Sequence, residues 1–218
     1  MEITFKLLTY IGLLGFILGF VVNKTNFCTM GAISDWVNIG DLSRFKSWMF
    51  AAAIAILGVS LFEYLNFIDA SQSRIPYRSS TLFWPRYILG GLMFGFGMTY
   101  ASGCGNKILI RVGGGNLKSL FVLIVAGLMA YLMTRTDFYG VVFHSWMIPI
   151  SPDLAKFGIE DQSLPIILAF FFSSFDVEIL KLIVGLLIAS IMIFQIFKSG
   201  VFLKNIDNVL SGITVGTI

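Results

Sequence analysis

Charge is scarce in this chain. Lysine, arginine, aspartate and glutamate supply 12% of its residues, against about 25% in an ordinary soluble domain. So few ions cannot keep a water-exposed surface solvated. Histidine occurs once, as His144, and cysteine twice, as Cys28 and Cys104. These three cannot complete a four-ligand zinc site, no Cys-x-x-Cys occurs, and no metal or cofactor is expected. The net charge of +3 rests on basic residues that flank apolar runs and form no patch, so no nucleic-acid partner is expected. A Gly-x-x-x-x-Gly-Lys-Ser/Thr phosphate loop is missing too, and with it any sign of a nucleotide-driven engine.

Apolar residues are abundant instead. They make up 57% of the chain, and the mean hydropathy is +0.88. Several runs approach the ~20 residues that cross a hydrocarbon core. Backbone facing lipid must satisfy its own hydrogen bonds. The expectation is therefore an all-α integral membrane protein, a polytopic helical bundle of about five or six spans. Spans are expected at 5–22, 45–66, 83–101, 117–133 and 178–197, with a sixth starting near Val209 and incomplete at Ile218. The run 164–172 is too short to span and reads as a half-helix or interfacial segment. The whole reads as one membrane domain over 1–218, with repeats at 5–66 and 81–133, a connection at 134–177 and further spans in 178–218. The first apolar run has no small-x-small cleavage site after it and reads as a retained span.

If the spans alternate, one side collects Lys24, Arg44, Lys46, Lys107, Arg111, Lys118, Lys198 and Lys204. The other collects Arg74, Arg78, Arg86, Arg135 and Lys156 among Asp69, Asp137, Asp153, Glu160, Asp161 and Asp176. Positive-inside bias predicts a cytoplasmic location for the first set and an outside N-terminus.

An internal repeat organises the site. Residues 15–28 read GFILGFVVNKTNFC and residues 91–104 read GLMFGFGMTYASGC. Gly15, Gly19, Phe20 and Cys28 align with Gly91, Gly95, Phe96 and Cys104 at one common offset. Glycines four apart share a helix face and permit close packing. Each helix then breaks in a polar stretch just ahead of its cysteine. Broken helices at corresponding places in two repeats point to a transporter's binding site. The short broken or re-entrant helices are expected directly after the cysteine-bearing spans.

The second copy continues as GGGNLKSL. Gly113, Gly114 and Gly115 would free backbone N–H groups for a ligand, and a helix starting near Asn116 would present its positive end to an anion. Lys24, Lys107 and Arg111 would add attraction, although each also suits a plain snorkelling or positive-inside role. Each cysteine alone reads as a small buried hydrophobe; as a matched pair at polar breaks they read as pathway lining. A disulfide would need the two breaks to meet, and a cytoplasm-facing location would keep the thiols reduced. Glu63 is an intramembrane or interfacial acid. Asp35 is expected to be structural, and His144 interfacial.

The residues GFVVNKTNFCTMGAISD and GFGMTYASGCGNKILIRVGGGNLKSL resemble the YeeE/YedE family of bacterial inner-membrane sulfur-compound transporters. Phe27-Cys28, Gly31-Ala32 and Asp35 match its first element, and Ser102-Gly103-Cys104 with the following glycine turn match its second. The resemblance implies uptake of thiosulfate or a related small sulfur anion, handed along by transient hydrogen bonds to Cys28 and Cys104. Full-length members of that family carry a second half with a further cysteine element, so the resemblance implies either that this sequence is truncated or that a second half-chain completes the pathway. A cytoplasmic sulfur-accepting protein is a further candidate partner. Lys107 stands where that family often has glycine. A membrane sulfurtransferase acting through a persulfidated cysteine, and a structural subunit of a transporter, are the alternative readings.

Overall fold

The computed structural model describes residues 2–68, 80–159, 162–171, 177–198 and 202–218. Asp69, Arg74, Arg78, Glu160, Asp161 and Asp176, used above for orientation, lie outside the described residues. The chain is helical: α1 Glu2–Thr25, α2 Thr29–Ile39, α3 Ser43–Tyr64, α4 Trp84–Tyr100, α5 Gly105–Gly113, α6 Leu117–Arg135, α7 Ser145–Met147, α8 Leu164–Phe171, α9 Val177–Phe197 and α10 Ile206–Thr217. An isolated bridge pairs Thr81 with Asp153.

Among the described residues four stretches are long and apolar enough to cross a membrane: Thr4–Ile39, Ser43–Tyr64, Leu117–Arg135 and Val177–Phe197. Between 6% and 17% of the residues in their most apolar windows are buried within the protein. Side chains such as Phe16, Leu128 and Phe194 therefore face outward, where a bilayer is the solvent that accepts them. This is a multi-pass membrane protein. The span expected at 83–101 is present as α4, but its 17 residues rise only about 25 Å, short of the ~30 Å hydrocarbon thickness. Pro85 at its start and four glycines dilute its hydropathy.

The chain folds as two compact units. The first comprises Met1–Gly58, Ser102–Asn116 and Leu187–Ile218. In it α1 packs against α10 and α5. Val22, Phe27 and Ala51 form a small core, joined by Leu18, Ile110 and Val215. Phe50, Phe197 and Phe202 meet edge to face beside it. The entry to α3 is set by Asp41, whose Oδ1 accepts from the Ser43 hydroxyl at 2.6 Å and the Ser43 N–H at 2.9 Å. Those two bonds, the hydroxyl's first, hold the Asp41 carboxyl below its ordinary value.

A lowered carboxylate pKa stabilises the fold above the unfolded value, near 3.9, and that stabilisation is lost as pH falls through the folded value. Asp41→Ala is expected to cost about 0.5–1 kcal/mol at neutral pH, as lost helix-entry caps do. The difference should vanish in thermal melts in detergent at strongly acidic pH.

The second unit comprises Val59–Ala101 and Leu117–Leu186. Here the described stretch 134–159 of the expected connection packs through specific hydrogen bonds. Leu154 N–H donates to the Ser80 carbonyl, Leu82 N–H to Pro152, and Trp84 Nε1 to Ile150. Arg86 lies 4.6 Å over the Phe83 ring and donates from Nε to the Tyr139 hydroxyl at 2.8 Å. His144 packs beside the same two rings. Glu63 is ion-paired with Lys181 at 4.0 Å, in a recess of about 230 Å³ that Glu178 and Asn66 also line. A half-buried acid is favoured by such a partner, and Lys181 gave no hint of the pairing in the sequence.

Candidate anion path at the paired cysteines

Both cysteines, their helices and the cations around them belong to the first unit. The helix break repeats in detail. Asn26 has φ of 51° and Ser102 has φ of 56°, both left-handed, and each stands two residues ahead of its cysteine. A left-handed residue turns the chain sharply, and asparagine tolerates it better than most. The chain then enters a new short helix at once. Cys28 is the N-cap of α2 and Cys104 the N-cap of α5, both extended. Their carbonyls accept the first helical bonds, from Ala32 N–H at 2.9 Å and Ile108 N–H at 3.0 Å.

The two thiols meet. Cys28 Sγ and Cys104 Sγ lie 3.3 Å apart, one donating to the other. Both are free cysteines and buried, with 8% and 5% exposure. Neither caps its own helix through the side chain. The leading N–H groups of α2 and α5 thus lack intrahelical partners, and two positive helix ends open toward one thiol pair.

The cations are arranged around the breaks. Lys107 Nζ donates to Asn26 Oδ1 at 2.9 Å, so the second copy's lysine holds the first copy's turn. Arg111 donates to the Ser102 carbonyl at 2.8 Å and holds its own copy's turn. Lys24 sits exposed in the last turn of α1. Arg44, which motif matching did not single out, pairs with Asp35 at 3.2 Å. A Cβ on Gly31 would stand 3.0 Å from the Arg44 guanidinium, and one on Gly103 would stand 3.1 Å from Lys107 Cβ. These motif glycines make room for two cationic side chains. The repeat carries a further signal: Asp35 and Arg111 occupy equivalent positions in α2 and α5, as do Gly31 and Lys107.

The triple glycine behaves differently from its sequence reading. The N–H groups of Gly114, Gly115 and Asn116 donate to the carbonyls of Ile110, Val112 and Arg111. Gly115 has φ of 83°. This is the left-handed closure of a helix C-terminus, here ending α5, so these N–H groups are engaged with α5. The sequence placed a helix start near Asn116, and α6 begins at Leu117. An open groove of about 780 Å³ runs between α1 and α5, lined by Gly15, Gly19, Val22 and Asn23 on one side and Asn106, Ile110, Gly113 and Gly114 on the other.

A family model described as sulphur transport matches residues 24–208. Over 151 residues the chain is 31% identical to the thiosulfate transporter TsuA of Spirochaeta thermophila, a match covering 69% of this chain and 42% of that protein. Over 127 residues it is 25% identical to the thiosulfate transporter TsuA of Escherichia coli, covering 58% of this chain and 34% of that one. The matches thus span well under half the length of these curated relatives.

Proposed function

This chain belongs to the sulphur transport family, and from that premise we propose that it forms part of a permease for thiosulfate or a related small sulfur anion. The observation that carries the reading is the meeting of Cys28 and Cys104 at two repeated helix breaks. A dianion in a narrow, water-poor passage needs donors that hold it briefly and release it. A thiol is a weak donor with a soft, polarizable sulfur. With the passage empty, the two thiols satisfy each other; an arriving anion draws their S–H donors to itself and, once past, leaves them to re-pair. The open ends of α2 and α5 supply further N–H groups.

Lys24, Lys107 and Arg111 give this region its positive potential, and Lys107 and Arg111 also hold the turns that aim the thiols. Gly113, Gly114, Gly115 and Asn116 close α5 and so fix the far end of the Cys104 helix. Nothing in this scheme requires a covalent intermediate or a cofactor. The location we propose is a bacterial inner membrane with the N-terminus outside. The relatives named thiosulfate transporters are more than twice as long as the stretch they share with this chain. The passage is therefore read as including a further half, carried by a continuation of this sequence or by a second half-chain, with a sulfur-accepting protein as a further partner.

The test is uptake of labelled thiosulfate by cells that depend on this protein, followed by mass spectrometry of both cysteine peptides. Accumulation without a sulfur adduct supports transport. A persulfide on Cys28 or Cys104 that turns over with substrate would overturn it in favour of sulfurtransfer. Lys107→Met is expected to slow uptake about fivefold, the equivalent of one hydrogen bond. Lys107→Arg should recover most of that loss, because it still reaches Asn26.

A further inference from the structure

We propose that Cys28 and Cys104 together form an oxidative modification site, at which a peroxide joins the two thiols as a disulfide that shuts the passage. The consequence for transport rests on the permease reading; the chemistry rests on the thiol geometry alone. The sulfurs are 3.3 Å apart, and a disulfide bond is about 2.05 Å. Bonding them needs about 1.2 Å of approach, within the scope of small side-chain rotations. Both cysteines are free, and each touches the other directly.

The surroundings keep the pair in register. Lys107 ties the turn before Cys28 through Asn26, and Arg111 ties the turn before Cys104 through the Ser102 carbonyl. Two thiols fixed in this way react with each other far faster than with a thiol from solution. A passage wide enough for a sulfur oxyanion also admits hydrogen peroxide.

The chemistry balances. One thiol gives up its proton and its sulfur attacks a peroxide oxygen; the O–O bond breaks, the departing hydroxide takes that proton and leaves as water, and a sulfenic acid remains. The second thiol attacks that sulfur, the S–O bond breaks, and a second water leaves. Two thiols and one hydrogen peroxide thus give one disulfide and two waters. The product has no S–H group, so the anion loses both donors while the helices stay in place. A low-molecular-weight thiol reductant restores the pair by exchange.

The experiment uses vesicles of the protein's native membrane, which also carry any partner that completes the passage, treated with hydrogen peroxide and then with dithiothreitol. A Cys28–Cys104 linked peptide is read by mass spectrometry without reduction, alongside thiosulfate uptake at each stage. The expected result is the linked peptide, a fall in uptake of about tenfold or more, and recovery with dithiothreitol. Cys28→Ser should yield no linked peptide. If the reduced protein transports but no linked peptide forms, the modification site is wrong and the permease reading stands. If the peptide forms and uptake is unchanged, the closure is wrong. If the peptide forms in a protein that shows no uptake when reduced, the permease reading fails and the modification site stands.

Discussion

Cys28→Ala and Cys104→Ala should each lower thiosulfate uptake by about 10- to 150-fold at equal protein abundance, the kinetic equivalent of one hydrogen bond to a charged group, about 1.5–3 kcal/mol. Both side chains are buried, so water cannot substitute freely for the missing donor. Alanine also leaves the remaining thiol without its partner across the 3.3 Å contact. Serine keeps a donor but replaces a soft sulfur with a smaller, more strongly solvated oxygen. The serine variants should therefore fall between alanine and wild type. A persulfide mechanism would give a different order, with serine as inactive as alanine. Uptake equal to wild type in both alanine variants would remove the thiols from the passage.

The second large effect is expected far from the thiols. Gly216→Leu should abolish a stable, monodisperse protein in detergent, while Gly95→Leu should leave the size-exclusion profile and melting curve close to wild type. A Cβ on Gly216 would stand 2.6 Å from the Ala51 carbonyl oxygen and 2.8 Å from Ile54 Cβ, and one on Gly212 would stand 2.7 Å from Phe50 Cδ1. The Gly216 clash is with backbone of α3, so no rotamer relieves it. Overpacking of this sort costs about 1–3 kcal/mol or more. Among the described residues, apart from the adjacent residues and backbone of its own helix, no atom comes within 4 Å of the place a Cβ would occupy on Gly95. Indistinguishable behaviour of the two variants would contradict the tight α3–α10 packing.

That contrast shows where sequence reasoning stopped. Gly15 with Gly19 and Gly91 with Gly95 read as helix-packing faces, yet all four meet open space among the described residues, and Gly212 with Gly216 make the close approach. Spacing marks a face that permits contact, but the partner is decided by the rest of the fold. The helices themselves were legible because a bilayer demands long apolar runs: α1, α3, α6 and α9 fall where hydropathy placed them. α4 was found but is short, and the packing within the described part of the connection had no local pattern because it comes from Arg86 meeting Tyr139 and Trp84 meeting Ile150, contacts distant in sequence. The cysteine pair was visible as a repeat, since one offset aligned Cys28 with Cys104. Which groups hold the breaks was not. Lys107 reaching Asn26 across the repeat, and Arg44 lying over Gly31 beside Asp35, are tertiary contacts without a local pattern. The glycine turn misled for a simpler reason. Free N–H groups for an anion and engaged N–H groups closing a helix are written with the same residues.

The most direct test of the passage is substrate protection of the two thiols. In vesicles carrying the protein, alkylation of Cys28 and Cys104 by N-ethylmaleimide is followed by mass spectrometry, with thiosulfate or sulfate present at matched ionic strength. Thiosulfate should slow the labelling of both cysteines together, and sulfate should slow it much less. Labelling rates that are the same with and without thiosulfate would mean that the anion does not pass the thiols.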